Sequence, residues 1–238
     1  MNEQGLSVST AFVCAMPMEL RPLVKRLSLQ KGWTHGVAMH TGVLRGRPVA
    51  AIVTGMGTNL AREAARRLLD TVSVERIVVV GITGAVDDVT PLGALIVPEI
   101  VVDSATGTEY RPALLGPRKA HGTLWTTDVL TGSDVAADLR ARGVVSLDME
   151  TAAIAEVCER RAVPWSVFRA ISDRATDGTV DEEVFRLSNQ DGTPNGRAIA
   201  RFFMKHPRRI PGMVRMARAA TLATETAAEA AIDACSQS

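Results

Sequence analysis

Three acidic residues and one arginine stand where the sequence predicts that buried strands end. Glu19 follows the apolar run AFVCAM, Glu150 follows VVSLDM, and Asp173 follows WSVFRAIS, which itself contains Arg169. Ligands of open α/β sheets collect at the carboxyl ends of the strands. If these strands are parallel neighbours, the three carboxylates converge on one crevice. In such a crevice, a carboxyl group in one environment can donate a proton while a carboxylate in another environment accepts one.

Each of these residues also has a purely structural interpretation. Glu150 can be a first-turn acid that interacts favourably with the dipole of the helix beginning there. Glu19 can be a solvated helix residue, and Asp173 can be an N-cap or turn residue. Arg169 is harder to explain without a site, because a guanidinium inside an apolar strand requires a nearby carboxylate.

The composition is typical of a compact globular protein: 238 residues, 46% hydrophobic and 22% charged. A formal net charge of +1 and an aromatic content of 4% give no basis for a nucleic-acid partner. The N-terminus lacks a signal-peptide pattern, and the apolar runs are shorter than the about 20 residues that span a bilayer. Three separated cysteines predict no disulfide framework. We therefore expect a reduced cytoplasmic protein with no membrane partner.

Strand and helix patterns alternate along the chain as far as Asp177. A helix is predicted over residues 18–29, a hairpin over 37–54, and Asn59 is a candidate N-cap for the next helix. Residues 103–122 are rich in Gly, Pro and Thr and predict a mobile loop. This alternation predicts an α/β fold with a mostly parallel or mixed sheet.

The C-terminal part of the chain has a different composition. From Gly196 to about Ala231 it is rich in alanine and helical in propensity, and we expect a helical extension there. No internal repeat and no convincing linker divides the chain. The sequence therefore predicts one domain over residues 1–238.

Two familiar cofactor signatures are incomplete. The segment VTGMGTNLA lies between a strand and a helix but lacks the third glycine of the dinucleotide-binding fingerprint. The four histidines show no metal-ligand spacing. We expect neither a metal nor an organic cofactor.

Five segments occur in the order and at roughly the spacing found in the nucleoside phosphorylase and nucleosidase superfamily: AMPMEL, VTGMGTNLA, VGITGAV, SLDMETAAIAEVC and SVFRAISD. Within it, the chain most resembles the 5′-methylthioadenosine/S-adenosylhomocysteine nucleosidases, over about residues 10 to 175. The segment beyond about Gly192 has no match in this resemblance. The resemblance implies a single α/β domain whose central mixed sheet forms a distorted barrel surrounded by helices, and a homodimer.

The resemblance also implies hydrolysis of the N-glycosidic bond of a purine nucleoside, with release of adenine. Asp173 would protonate N7 of the purine, and Glu19 would be the general base that activates water. Arg169 would orient Glu19 and the water, and Glu150 would hold the ribose hydroxyls. An acid must stay protonated while a base accepts, so we expect Asp173 in a drier place than Glu19. Two further contacts are Met149 against the sugar and Ser172 beside Asp173.

The remaining substrate contacts are less specific. Met16 and Met56 are candidates for an apolar 5′ pocket, although both can equally be ordinary core residues. The segment TTDVLTG offers Leu130 and Thr131 where the nucleosidases usually have an aromatic residue against the purine. Stacking would then be weaker, or it would come from the neighbouring aromatic residues Phe168 or Trp125.

The main competing hypothesis is a phosphate-dependent phosphorylase. Val79 and Ile82 stand where phosphorylases have phosphate-binding residues, and only Thr83 offers a substitute hydroxyl. Glu19 would repel a phosphate dianion, and Arg21 is the nearby cation that would reverse this. The sequence favours hydrolysis. It is also compatible with a nucleosidase for another specialised adenosine derivative and with a non-catalytic nucleoside-binding protein.

Overall fold

The computed structural model of the protein describes residues 6–129, 131, 133–175, 182–189, 191–193 and 195–237. The strands within these ranges are β1 (Ser7–Val8), β2 (Thr10–Cys14), β3 (Gln30–Thr34), β4 (Val37–Leu44), β5 (Arg47–Val53), β6 (Ser73–Val74), β7 (Ile77–Ala85), β8 (Leu95–Ile96), β9 (Ile100–Asp103), β10 (Glu109–Tyr110), β11 (Thr123–Thr126), β12 (Val144–Asp148) and β13 (Trp165–Arg174). The helices are α1 (Pro17–Leu27), α2 (Thr58–Thr71), α3 (Ser133–Ala141), α4 (Thr151–Arg160), α5 (Glu182–Phe185), α6 (Gly196–Lys205) and α7 (Ile210–Ser236), with one 3₁₀ turn at Pro207–Arg209.

Eleven strands form one mixed sheet, in the order β10-β9-β11-β12-β7-β2-β5-β4-β3, and β13 pairs with both β7 and β8. Strands β2, β5, β7 and β13 are mutually parallel, whereas β3, β4 and β5 form an antiparallel meander. The predicted single α/β domain with a mixed sheet ringed by helices is confirmed. Among the described residues the pairings do not close into a ring, so the predicted barrel is not observed as a closed one.

Alternate residues of the central strands face two helical layers, as the strand period requires. Phe12 of β2, Val78 of β7 and Phe168 of β13 pack in one buried cluster with residues of α1 and α7. Val13 and Val79 belong to a second buried cluster, which includes residues of α2 and α4. The sheet is therefore covered by helices on both faces.

Helix α7 is the long C-terminal extension that the alanine-rich composition predicts, and it ends at Ser236, beyond the predicted limit. Its buried face is made of alanines, including Ala223, Ala227 and Ala231, which allow the helix axis to approach the sheet closely. Within the described ranges, no helix combines the length and the apolar composition needed to cross a membrane.

Two local predictions are wrong, and a third, the loop over residues 103–122, fails only where that segment includes strand residues. Helix α2 begins at Thr58, so Asn59 is not its N-cap. The main-chain N–H of Thr58 instead donates to the Asp128 carboxylate, which is distant in sequence (2.8 Å). The segment 103–122, predicted to be a mobile loop, includes β10, which pairs with β9. Asp173 lies inside β13, because that strand continues past the end of its apolar run.

Candidate active site

The candidate site lies where the central strand β7 changes neighbours along one edge. Strand β2 pairs with β7 as far as Val79, and β12 pairs with it from Gly84. The carboxylate of Glu19 enters this interval, where its Oε1 accepts a hydrogen bond from the N–H of Ile82 (2.8 Å). Strand β12 runs antiparallel to β7, so the expectation that all three strands are parallel neighbours is wrong for β12. The side chains nevertheless converge, because the carboxyl ends of β12 and β7 pair with each other, with Leu147 opposite Gly84.

Glu19 is held from three directions. It is the third residue of α1, and its Oε2 accepts hydrogen bonds from the N–H groups of Ala15 (2.7 Å) and Met16 (2.9 Å), just before the helix. The side chain is 1% exposed. Burial raises the pKa of Glu19, while Arg169 and the three N–H donors oppose this rise. A carboxylate with a raised pKa is a better proton acceptor near neutral pH.

Arg169 projects from β13 into the same space and is buried, with 1% of its side chain exposed. Its Nη1 donates to the carbonyl oxygen of Ile82 (3.2 Å) and lies 3.5 Å from Oε1 of Glu19. Its Nη2 donates to Oδ2 of Asp148 (2.6 Å) and lies 3.4 Å from Oε2 of Glu150. Burial alone would lower the pKa of Arg169, but the surrounding carboxylates raise it above its usual range. The arginine inside the apolar strand is thus paired, as its sequence context requires.

Glu150 is the N-cap residue of α4 and is 5% exposed. Its Oε1 accepts a hydrogen bond from the N–H of Gly57 (2.9 Å). Burial raises the pKa of Glu150 to about 8, against the opposing effect of Arg169, and the negative charges of Asp148 and Glu19 add to the rise. Gly57 lies in the glycine motif that fails as a dinucleotide fingerprint, so this motif has a role at the site that the sequence analysis missed.

Asp148 is a buried member of the site that the sequence analysis also missed. Its Oδ1 accepts a hydrogen bond from the hydroxyl of Thr126 (2.6 Å), and its Oδ2 accepts from the N–H of Thr151 (3.1 Å) and from the Thr151 hydroxyl. The sequence signal that points to Asp148 is the two-residue period of the strand. Val144, Ser146 and Asp148 lie on the same face of β12, and all three are buried.

Asp173 lies on β13, four residues beyond Arg169. The pairing of β13 with β7 shifts register between Ile171 and Asp173, and the hydroxyl of Ser172 donates to Oδ1 of Asp173 (2.5 Å). Asp173 is partly exposed, whereas Glu19 is fully buried. The expectation that Asp173 occupies the drier place is therefore wrong. The reason is its position at the end of β13, where the strand leaves the buried sheet.

The remaining predicted substrate contacts have mixed positions. Three methionines, Met16, Met56 and Met149, are partly exposed and lie within three residues of a site residue in the sequence. Their proposed contacts with the substrate stay predictions. Thr131 is partly exposed, and Leu130 lies outside the described residues.

Thr83 is a poor donor for a ligand. It is 3% exposed, and its hydroxyl donates to the carbonyl oxygen of Leu147 (2.6 Å), where it links β7 to β12. The hydroxyl proton is therefore already used in the sheet.

The two aromatic residues considered for stacking on a purine serve the fold. Phe168 is 1% exposed and packs in the cluster beneath α7, on the opposite face of β13 from Arg169. Trp125 packs against the small cluster beside α3, and the guanidinium of Arg142 lies 4.7 Å from its ring centroid. The prediction that either one replaces the missing aromatic residue is not supported.

A short segment that precedes the C-terminal helices, residues 191–193, contacts Met16. A Cβ atom on Gly192 would lie 2.5 Å from Cγ of Met16, so the two residues are in direct contact. Met16 also provides one of the N–H donors to Glu19. The segment 191–193 therefore lies beside Met16, although the sequence carries no local signal for this contact.

Two statements about ions apply to the described part of the chain. There, no group of three or more His, Cys, Asp or Glu side chains is arranged to hold a metal ion. Arg21, the cation considered for a phosphate site, is exposed on α1, whereas Glu19, two residues earlier, is buried.

The sequence profile of the phosphorylase superfamily matches residues 9–119 and 104–205. The chain belongs to this superfamily. A curated relative, the 5′-methylthioadenosine/S-adenosylhomocysteine nucleosidase of Chromohalobacter salexigens, is 26% identical over 197 residues, which cover 69% of this chain and 84% of the relative. The resemblance predicted from the sequence motifs is confirmed at the level of the superfamily, and this relative is a nucleosidase.

Solved structures of superfamily proteins share the fold. A mutant of the Helicobacter pylori methylthioadenosine nucleosidase, with 5′-methylthioadenosine in its active site, has a TM-score of 0.72 at 15% identity and covers 97% of this chain and 99% of its own. The futalosine hydrolase of Helicobacter pylori also has a TM-score of 0.72, at 12% identity, with full coverage of both chains (100%).

Proposed function

We propose that the protein is a purine nucleosidase that hydrolyses the N-glycosidic bond of 5′-methylthioadenosine, S-adenosylhomocysteine or a related 5′-substituted adenosine. The observation that carries the proposal is the buried cluster of Glu19, Glu150 and Arg169, with Asp173 on the same strand as the arginine. A protein that only binds a nucleoside needs no buried base of raised pKa beside an orienting guanidinium.

Each side chain has a distinct part in the proposed reaction. Asp173 donates a proton to N7 of the purine once the bound base covers its partly exposed carboxyl group, and the electrons of the breaking C1′–N9 bond leave with the base. Ser172 holds Asp173 in place through its hydroxyl hydrogen bond. Glu19 then accepts a proton from water as the water oxygen bonds to C1′. The products are adenine and a free sugar.

The charge of the site favours this reaction. The buried carboxyl groups of Glu19, Asp148 and Glu150 surround the guanidinium of Arg169, and when all three are ionised the site has an excess of negative charge. Burial raises the pKa of Glu150 to about 8, and positive charge on the bound sugar favours its ionised form. As the glycosidic bond breaks, positive charge develops on the ribosyl ring. Fixed negative groups in a site that excludes water stabilise that charge more in the transition state than in the substrate. Glu150 contributes most directly when it binds the ribose hydroxyls.

The same charge argues against the phosphorylase hypothesis. A phosphate dianion at the position of the attacking water would contact Glu19, and at this distance repulsion costs on the order of a few kcal/mol. Val79 is a core residue, the proton of Thr83 is used by Leu147, and Arg21 is exposed. Val79 and the hydroxyl proton of Thr83 are thus committed to the fold, and Arg21 lies on the exposed side of α1.

A second candidate is a nucleosidase for another specialised adenosine derivative. Two observations favour it: the base-side segment TTDVLTG has no aromatic residue, and segment 191–193 packs against Met16 at the predicted 5′ pocket. The fold neighbours include both a methylthioadenosine nucleosidase and a futalosine hydrolase, and they therefore do not separate the two candidates.

The test is adenine release in phosphate-free buffer, followed by chromatography with a panel of 5′-methylthioadenosine, S-adenosylhomocysteine, adenosine and inosine. We expect cleavage of a 5′-substituted adenosine, and we expect Asp173→Asn to lower kcat/KM by roughly 10²- to 10⁴-fold. Asp138→Asn, at an exposed position on α3, is the matched control and is expected to be fully active. Ligand binding without turnover over hours would contradict the proposal and favour a nucleoside-binding protein.

We also propose that the protein is a homodimer that acts in the cytoplasm on a small-molecule nucleoside. The resemblance to the nucleosidases supports the dimer. Light scattering of the purified protein tests it, and a monomeric mass would contradict it.

A further inference from the structure

Asp148 belongs to none of the roles assigned above, yet it makes the shortest contact to Arg169. Its Oδ2 lies 2.6 Å from Nη2 of Arg169, whereas Oε2 of Glu150 lies 3.4 Å from the same nitrogen. A charge-assisted hydrogen bond between nitrogen and oxygen is typically about 2.7–2.9 Å long. Nη2 is therefore bound to Asp148; it also donates to the hydroxyl of Thr151 (3.1 Å), and Glu150 is the most distant of these three partners.

Asp148 is itself fixed by the fold. The hydroxyl of Thr126 donates to its Oδ1 (2.6 Å) and also accepts a hydrogen bond from the N–H of Ala152 (3.0 Å). The N–H of Thr151 donates to its Oδ2 (3.1 Å). These donors belong to β11 and to the first turn of α4, so two elements set the position of the carboxylate and through it the position of Arg169.

Resting on the nucleosidase function proposed above, we infer that Asp148 is a positioning residue that holds the guanidinium of Arg169 away from Glu150. Glu150 then keeps its carboxylate for the ribose hydroxyls, with one oxygen anchored on the N–H of Gly57 (2.9 Å). The other terminal nitrogen, Nη1, stays between Glu19 and the carbonyl oxygen of Ile82. The two terminal nitrogens of Arg169 are thus directed to Glu19 and Asp148, and Glu150 keeps its carboxylate for the sugar.

Loss of the Asp148 charge has a defined consequence. Among the described residues, Nη2 would then keep Glu150 as its acidic partner, and a buried guanidinium without a close negative charge is costly, so it would move towards Glu150. An ion pair formed in this way competes with the ribose and raises KM. It also acts on the proton affinity of Glu150, which faces Arg169 from β13, Asp148 from β12, Glu19 from α1 and the N–H of Gly57. Removing a negative neighbour and strengthening a positive one both lower the pKa of Glu150.

The experiment compares Asp148→Asn, Asp148→Glu and Ser146→Ala with the wild-type protein. Ser146 is a matched control, because it lies two residues earlier on β12, is buried, and has a hydroxyl with no hydrogen-bond partner among the described residues. The readouts are KM, kcat, the pH profile of kcat/KM, and ¹³C NMR titration of the glutamate carboxyls, with the Glu150 signal assigned from Glu150→Gln.

We expect Asp148→Asn to raise KM roughly ten-fold and to move the Glu150 titration and the acidic limb of the profile to lower pH. Asp148→Glu keeps the charge and should leave the titration in place, and Ser146→Ala should change neither. Should Asp148→Asn fail to fold, Thr126→Val, which removes one hydrogen bond to Asp148, is expected to raise KM in the same direction.

An unchanged KM and titration in a folded Asp148→Asn variant would overturn the inference, as would the same changes in Ser146→Ala. A wild-type protein that cleaves no nucleoside would refute the proposed function instead. The NMR titration needs no turnover, so it would still decide whether Asp148 controls the pairing of Arg169 with Glu150.

Discussion

A Cβ atom on Gly81 would lie 2.2 Å from Oε1 of Glu19, so the Glu19 carboxylate can contact the central strand only because residue 81 has no side chain. The same atom would lie 2.5 Å from Nη1 of Arg169. Gly81 therefore makes room for both partners of the buried ion pair. A glycine inside a strand often marks such a close approach.

Gly81→Ala should separate Glu19 from Arg169. The added methyl group has to displace one of two fixed side chains, and we expect kcat/KM to fall by roughly 100-fold and the free energy of unfolding by about 1–3 kcal/mol. Gly32→Ala is the control, because Gly32 is also a strand glycine but a Cβ atom there would meet nothing within 4 Å. Steady-state kinetics and urea unfolding measure both effects, and an active Gly81→Ala variant would mean that Glu19 need not occupy this position.

The raised pKa of Glu150 should make stability depend on pH. Because the folded-state pKa is about 8 against an ordinary value of 4.5, the folded protein binds more protons than the unfolded chain between these pH values. The free energy of unfolding therefore falls as pH rises through this window, by on the order of a few kcal/mol.

Glu150→Gln removes this dependence, since glutamine stays neutral. We expect the Tm of the variant relative to wild type to rise from pH 4.5 to pH 8, measured by calorimetry across the range. Glu63→Gln, at an exposed position on α2, is the control for the substitution itself. A constant difference for Glu150→Gln would show that the Glu150 carboxyl titrates normally.

The contact between Gly192 and Met16 should affect substrate binding. Gly192 has φ +74°, so alanine is strained there, and its Cβ atom would also meet Met16 at 2.5 Å. Gly107→Ala is a close control, with φ +71° and nothing within 4 Å. Both variants should lose about 1 kcal/mol of stability. We expect only Gly192→Ala to raise KM, by roughly three- to ten-fold, and equal KM values would exclude segment 191–193 from the site.

The role of α7 can be tested through its alanine face. Ala227 is fully buried against the sheet (0% exposed), so Ala227→Leu should overpack the interface and lower the free energy of unfolding by about 1–3 kcal/mol. Ala217→Leu, at an exposed position on the same helix, should be nearly neutral. If both variants unfold at the same denaturant concentration, α7 is not packed on the sheet in solution.

Much of the fold follows from the sequence because the signals are local. The β-branched run of β7 and the helical period of α1 each specify one element, and the glycine-containing turn at Arg45-Gly46 specifies the hairpin of β4 and β5. The cap of α2 was predicted wrongly because its partner, Asp128, is 70 residues from Thr58. A long-range hydrogen bond leaves no mark in the local pattern.

The site residues also divide into those with a local sequence signal and those without one. Glu19, Glu150 and Arg169 were found from their positions at strand ends and inside an apolar strand, and the structure brings them together. Asp148 was missed because an acid at the end of a strand has many structural explanations. The sequence predicts that Asp173 is more buried than Glu19, and the structure has the reverse. The burial of Asp173 depends on how far β13 extends, and the polar residues at the end of β13 give no local sign of where the strand stops.

The identity of the sugar product tests the central claim, that water positioned by Glu19 and Arg169 cleaves the glycosidic bond. The protein is incubated with the 5′-substituted adenosine that it cleaves, with and without an excess of inorganic phosphate, and the sugar is analysed by mass spectrometry. We predict a free reducing sugar and adenine at equal rates in both buffers. A sugar 1-phosphate that forms only in the presence of phosphate would contradict the account.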